Sequence, residues 1–172
     1  MQVVKAPDPK LRVKTKEVKK VTPAVLETLK KMVKLTKTFK DPEGVGLATT
    51  QVGLTDRYFV AKFGEDFIFV INPKILTFSK KTKLYFEGCL STPDIWGEVK
   101  RHLSIKVSYL NEQGQPITKS LSGVLAWIFQ HEVDHLDGIL FQDRVLEQKG
   151  RFYKFTGKDK TDHDMFEEIA LP

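Results

Sequence analysis

The sequence has little cysteine and no long apolar run. Cys89 is the single cysteine among 172 residues, which excludes an intrachain disulfide and is typical of a reducing compartment. No apolar run reaches the ~20 residues that a membrane helix needs, and residues 1–10 look like neither a secretory signal nor a transit peptide. These absences predict a cytoplasmic protein that does not bind a membrane.

Charge is abundant but lacks a nucleic-acid signature. The formal net charge is +6 and the pI is about 9.3, mostly from lysines in residues 5–40 and 74–83. No arginine and aromatic pattern of the kind found in nucleic-acid modules is present. A solvated lysine surface without sequence-specific nucleic-acid binding is therefore expected, and loose association with acidic or RNA-rich partners stays an alternative.

The order of periodic segments predicts an α+β fold in a single catalytic domain, residues 1–172. The composition, 41% hydrophobic and 29% charged, suits one core, and residues from about 147 onward read as a short charged tail. A first helix is expected after Thr22, an N-cap residue followed by Pro23, and it should end at residues 41–44. Aromatic and β-branched runs predict antiparallel strands at residues 58–63, 67–72, 75–78, 83–86, 102–110, 115–121 and 139–141.

A second helix is predicted over Gly123–Leu136, where apolar residues recur at helical spacing. His131 and His135 are four residues apart, so they project from one face about a turn apart and can share one metal ion. Glu132 lies between them in an H-E-x-x-H pattern, in which the carboxylate takes a proton from metal-bound water. Ile128 lies on the same apolar stripe as the two histidines. Without a metal, each imidazole would need its own buried hydrogen-bond partner, so solvated histidines or histidines with separate buried partners are the weaker alternative.

A catalytic metal site usually has three protein ligands and one open position, so a third ligand is needed. The candidates besides carboxylates are Cys89, His102 and His163. Cys89 follows Gly88, which allows a sharp turn at a strand end, and a thiolate binds divalent metals strongly. Spacing alone leaves Cys89 balanced between a ligand and a small buried apolar residue. The glycine-rich residues 44–53, taken alone, favour a tight connection.

Three stretches together resemble the ordered motifs of the peptide deformylases, which remove the formyl group from nascent bacterial-type proteins. They are GVGLATTQ at residues 44–51, EGCLS at 87–91 and QHEVDH at 130–135. The second and third match the family pattern fully, and the first departs at Thr49, where the family usually has alanine. The resemblance runs from about residue 6 to residue 144. It implies an α+β domain with antiparallel sheet segments packed around the metal-binding HExxH helix, with a second helix near the N-terminus.

The resemblance also implies how the metal is used. Cys89, His131 and His135 would hold one divalent ion per chain, expected to be Fe²⁺, with Zn²⁺, Ni²⁺ or Co²⁺ as alternatives. Glu132 would be the general base toward metal-activated water and would pass the proton to the departing amine.

The remaining roles concern the substrate. The Gln51 amide and the Leu90 backbone N–H would stabilise the oxyanion, and Gly46 would position the peptide backbone. Trp127 and Ile128, which lie three or four residues before His131 on its helix face, are expected to line the pocket for the methionine side chain.

The partners implied are N-formylmethionyl nascent polypeptides, with formate and a free N-terminal methionine as products. Ile95 and Trp96 stand where many family members have an arginine that helps to hold the peptide backbone. The chain shows no long basic C-terminal helix of the sort some members use to dock on the ribosome, so ribosome association is expected to be transient or to use another surface.

Two other classes share part of this pattern. A zinc endopeptidase uses H-E-x-x-H but usually takes its third ligand downstream, where His163 and scattered carboxylates are available. A non-catalytic metal-binding fold would have a fourth protein ligand and no exchangeable water, and structural sites seldom keep a glutamate beside the ligands.

Overall fold

The computed structural model describes residues 1–40 and 42–170. Within them are three α-helices: α1 (Pro23–Thr36), α2 (Gly123–Leu136) and α3 (Phe141–Glu147). The nine strands are β1 (Gly46–Ala48), β2 (Tyr58–Phe63), β3 (Asp66–Phe78), β4 (Thr82–Cys89), β5 (Thr92–His102), β6 (Ser104–Leu110), β7 (Pro116–Ser122), β8 (Phe152–Lys158) and β9 (Asp164–Ile169). In this part of the chain, the helices are too short or too polar to span a membrane. The predicted α+β class is confirmed.

Helix α1 begins as its sequence predicts. The Thr22 hydroxyl accepts the backbone N–H of Val25, and Pro23 occupies the first turn, where no intrahelical N–H partner is needed. The helix ends at Thr36, earlier than the expected end at residues 41–44, of which residue 41 lies outside the described residues. Its buried face, with Leu29 and Met32, packs beside the first two strands.

The strands form two antiparallel sheets. A five-stranded sheet has the order β1-β2-β3-β6-β7, and a four-stranded sheet has the order β4-β5-β8-β9. The runs at residues 67–72 and 75–78 belong to the single strand β3, which passes Pro73 through a register shift. Proline suggests an interruption because it lacks a ladder N–H, yet a bulge keeps the strand continuous. Strand β5 has no predicted counterpart.

Helix α2 packs on the five-stranded sheet and carries the core contact of the molecule. The Phe129 ring meets Phe59 of β2 edge to face, with centroids 4.9 Å apart, and both side chains are fully buried. Such pairs add about 0.5–1.5 kcal/mol beyond the area that they bury. This contact fixes the helix against the sheet and leaves its other side facing β4 and β5.

Two segments differ from their predicted structure. Residues 139–141 were expected to return as a strand, but Phe141 starts α3, where the Asp143 carboxylate accepts the N–H of Leu140 at 2.7 Å. Phe141 and Val145 share one face of the helix and pack with Val99 of β5. The expected charged tail instead contains the β8–β9 hairpin, which pairs with β5.

We expect Phe129→Ala to lower the free energy of unfolding by about 3–5 kcal/mol, the usual cost of an aromatic-sized cavity. Urea unfolding followed by circular dichroism measures the change. Val124→Ala on the same helix is the control, since Val124 is 61% exposed and its truncation should change the free energy of unfolding by no more than about 0.5 kcal/mol. Equal losses for the two variants would contradict this account of the core.

Candidate active site

Helix α2 and the end of strand β4 bring three metal-binding side chains together. His131 and His135 lie one turn apart on α2, with ring centroids 4.9 Å apart. Cys89 is the last residue of β4, where a register shift after Gly88 turns the strand, and its Sγ lies 3.2 Å from His135 Nε2. One ligand atom from each of the three residues lies within 4.8 Å of the others.

The chemistry of these donors fits a divalent transition metal. His131 Nδ1 lies 2.9 Å from Glu87 Oε2, which leaves Nε2 of the ring to act as a ligand. A thiolate and two imidazoles form a set that suits iron, zinc, cobalt or nickel. Within residues 1–40 and 42–170 this is the one group of its kind. The site can therefore hold a metal ion, and the donor set alone does not select one.

The thiol and the imidazole are tuned by each other. Burial disfavours the ionised form of Cys89, but His135 and His131 hold the pKa of this thiol well below its ordinary value. Burial likewise opposes the imidazolium of His131, but Cys89 and Glu87 raise its pKa well above the ordinary value. A cysteine that ionises readily is a competent metal ligand, because the thiolate is the binding form.

Glu132 lies beside these ligands with one carboxylate oxygen unsatisfied. Oε2 is buried and has no hydrogen-bond partner among the described residues. Burial raises the pKa of Glu132 to about 7, although the neighbouring His131 and His135 act in the opposite direction. A carboxyl group that lines a cavity and has a pKa near neutrality can both accept and release a proton.

Gly46 is needed because Glu132 approaches the backbone of β1 closely. A Cβ atom at Gly46 would lie 2.3 Å from Glu132 Oε1, well inside van der Waals contact. Any side chain here would displace the carboxylate or open the strand. The glycine-rich stretch is therefore more than a tight connection, since it makes room for the acidic group of the HExxH helix.

Gln51 is held with its amide N–H₂ toward the ligand set. Its Oε1 accepts the Ala48 N–H at 2.8 Å, which orients the amide, and Nε2 lies 3.3 Å from both Cys89 Sγ and Ser91 Oγ. The side chain is 1% exposed. Leu90 follows Cys89 in the turn between β4 and β5, and its carbonyl accepts a hydrogen bond from the Lys5 ammonium.

A cavity of about 100 Å³ opens over this arrangement. Both predicted pocket residues, Trp127 and Ile128, line it together with Gly46, Gln51, Cys89, Leu90, Trp96, His131 and Glu132. The Trp127 ring stacks on Tyr85, with centroids 5.1 Å apart, and its Nε1–H donates to Glu87 Oε1 at 2.8 Å. The structure thus brings all the predicted site residues to one place, where His135 is buried and contacts Cys89.

The other candidate ligands lie elsewhere. His102 Nδ1 is 2.6 Å from the backbone oxygen of Ser79, and His163 stands in the β8–β9 turn beside Asp159. Neither belongs to the metal-binding group.

The sequence alone does not identify the supporting ion pairs. Glu87 accepts two hydrogen bonds from the Arg101 guanidinium at 2.8 and 3.0 Å, and Arg101 also bonds Asp134 at 2.5 Å. Arg144 of α3 donates to the same aspartate at 2.6 Å. Burial opposes ionisation of Glu87, but Arg101 and His131 hold its pKa at about 2. The available signal is the charge of Glu87 and Asp134 within the two short motifs that also contain Cys89, His131 and His135.

Comparison with known proteins agrees with this geometry. The family described as "Polypeptide deformylase" matches residues 1–151. The peptide deformylase of Thermotoga neapolitana is 42% identical over 142 residues, which is 83% of this chain and 85% of the relative.

Solved structures agree as well. The crystal structure of peptide deformylase from Thermotoga maritima has a TM-score of 0.78 and 40% identity, covering 83% of this chain and 95% of the other. A peptide deformylase from Synechococcus elongatus, in complex with actinonin, has a TM-score of 0.79 and 33% identity, covering 84% of this chain and 78% of the other. The chain therefore belongs to the polypeptide deformylase family of enzymes.

Proposed function

We propose that this enzyme removes the formyl group from the N-terminal methionine of newly synthesised polypeptides in the cytoplasm, as a metal-dependent hydrolase. The observation that carries the proposal is the approach of Cys89, His131 and His135 beside the buried carboxylate of Glu132, in a chain of this family. Formate and a free methionine amine are the products. Contact with the ribosome would be transient.

Cys89, His131 and His135 would hold one divalent ion, and ferrous iron is the metal that we propose. When bound, the ion supplies Lewis-acid chemistry, which activates a water molecule and polarises the formyl carbonyl. Glu87 supports the site from behind, because its hydrogen bond to His131 Nδ1 fixes the ring and makes Nε2 the ligand atom.

Glu132 would accept the proton of the attacking water at its unpartnered oxygen and deliver it to the departing amine. Burial supports this role, since the raised pKa brings the carboxyl close to the pH at which it works. Gly46 would let the substrate backbone lie along β1 without displacing this carboxylate.

Gln51 and Leu90 would stabilise the negative charge that develops on the formyl oxygen. The Gln51 amide is oriented by the Ala48 N–H and directs its donor toward Cys89, so little reorganisation is needed during the reaction. Trp127 and Ile128 would receive the methionine side chain, and the cavity of about 100 Å³ that they line suits a small acyl group and one side chain.

The arrangement favours a deformylase over an endopeptidase. The third ligand comes from Cys89, which precedes the HExxH helix, whereas the downstream candidate His163 lies in a surface turn. In a non-catalytic metal site, a buried Glu132 oxygen without a hydrogen-bond partner would cost free energy and serve no chemical step.

The substrate is tested by formate release. We expect formyl-Met-Ala-Ser to react, and acetyl-Met-Ala-Ser to react at least ~100-fold more slowly, because the extra methyl group would have to fit among Cys89, His131 and Glu132, which line the cavity. Actinonin, which is bound by the Synechococcus elongatus relative, should inhibit the reaction. Similar rates on the two peptides, or cleavage only of internal peptide bonds, would overturn the proposed function.

The metal ligands are tested separately from activity. We expect Cys89→Ala, His131→Ala and His135→Ala each to abolish stoichiometric metal, measured by elemental analysis of the purified protein, together with formate release. His102→Ala is the matched control and should bind one metal ion per chain as the wild type does. Full metal content in Cys89→Ala would contradict the ligand assignment.

Proton transfer is tested by Glu132→Gln, which keeps the size of the side chain and all three ligands. Metal content should stay at one ion per chain, while kcat should fall by at least ~10²-fold, as expected for loss of a general base. Elemental analysis and formate release measure the two quantities on one preparation. A variant that turns over normally would remove Glu132 from the reaction.

A further inference from the structure

The β8–β9 hairpin lies outside the part of the chain that the family matches, which ends at residue 151. It is nevertheless built into the sheet that carries Cys89. Strand β8 pairs with β5, with Trp96 opposite Tyr153 and Ile95 opposite Lys154. The hairpin therefore lies beyond the matched part of the chain and still reaches Trp96 at the edge of the active site.

One face of this sheet forms an aromatic cluster, made of Phe86, Trp96, Tyr153, Phe155 and Phe166. Trp96 stacks on Phe86 with ring centroids 5.3 Å apart. Phe166 contacts both rings edge to face, with centroids 5.5 Å from Trp96 and 4.9 Å from Phe86. Tyr153 contacts Phe86 at 5.2 Å, and Phe155 contacts Phe166 at 5.8 Å. Three of the five rings come from the hairpin, so the hairpin supports Trp96.

Trp96 stands between two cavities. On one side it lines the catalytic cavity and lies over Gly88, where a Cβ atom would be 3.0 Å from the indole ring. On the other side it lines a second, outer cavity of about 270 Å³, to which the hairpin contributes Phe155 and Asp164. Both cavities also share Cys89 and Leu90, so the outer cavity is a direct continuation of the catalytic one.

The charged residues that line the outer cavity are of both signs. Lys5, Asp94 and Asp164 all line it, and the Lys5 ammonium bonds the Leu90 carbonyl. Because charges of both signs are present, we expect the apolar rings of Trp96 and Phe155 to determine which side chains bind in this cavity.

We propose that the β8–β9 hairpin gives this enzyme a preference for apolar side chains in the residues that follow the formylated methionine, because Phe155 lines the outer cavity and the hairpin supports Trp96. The two cavities are continuous, which identifies the occupant. A peptide whose formyl group lies at Cys89 and His131 has to extend out of the catalytic cavity, and the outer cavity adjoins that cavity. The inference rests on the proposed function of the site.

The test compares kcat/KM for formyl-Met-Leu-Leu-Leu, formyl-Met-Ser-Ser-Ser and formyl-Met amide. The wild type should prefer the leucine peptide over the serine peptide by about tenfold, the lower end of what one apolar contact in a pocket provides. In Phe155→Ala the preference should fall to about twofold through a higher KM, and Phe155→Leu should keep most of it. Met165→Ala, on the same hairpin but outside both cavities, is the control and should keep the full preference.

Several outcomes would overturn this role of the hairpin. They are an unchanged preference in Phe155→Ala, an equal loss in Met165→Ala, and an equal fall on formyl-Met amide and the leucine peptide. A dimer in sedimentation that dissociates in Phe155→Ala would assign the cavity to a second copy of the chain. No formate from any of the three peptides would overturn the proposed function and the role of the hairpin together, so the two failures are distinguishable.

Discussion

The carboxylate of Glu87 is fully buried and accepts hydrogen bonds from three side chains of two other elements. Arg101 of β5 bonds both of its oxygens, while Trp127 and His131 of α2 each bond one. An unpaired buried carboxylate would cost several kcal/mol, so the meeting of these elements at this point stabilises the fold. The same contact orients His131, which belongs to the group that could hold a metal ion, and Trp127, which lines the cavity. Stability and site geometry thus depend on one group.

The network extends from this carboxylate through the molecule. Arg101 joins Glu87 to Asp134, and Arg144 joins Asp134 to α3, so four elements share one chain of charge-assisted hydrogen bonds. Burial opposes ionisation of Asp134, yet the two arginines keep its pKa below the ordinary value. Each buried charge of this network has a partner of opposite sign, which is the condition under which such groups hold their geometry. The network therefore gives the two histidines of α2 a preorganised support.

Prediction from sequence succeeded where local pattern decides structure and failed where neighbours decide it. The helical period identified α2, and runs of aromatic and β-branched residues identified β2, β6 and β7. Strand β5 mixes glycine and charge with apolar residues, and it is stable because β4 and β8 pair with it on either side. Residues 139–141 form a short apolar run that fits either element, and the cap from Asp143 makes Phe141 the start of a helix.

The sequence by itself determined that His131, Glu132 and His135 lie together, because the period of one helix converts residue spacing into distance. It also supplied, through three motifs, the resemblance that joined Cys89 to them. Only the tertiary structure decided that Gly46 makes room for Glu132 and that the hairpin reaches Trp96. These contacts join residues that are far apart along the chain. Residue spacing predicts a distance only within one regular helix or strand, so the sequence could not predict them.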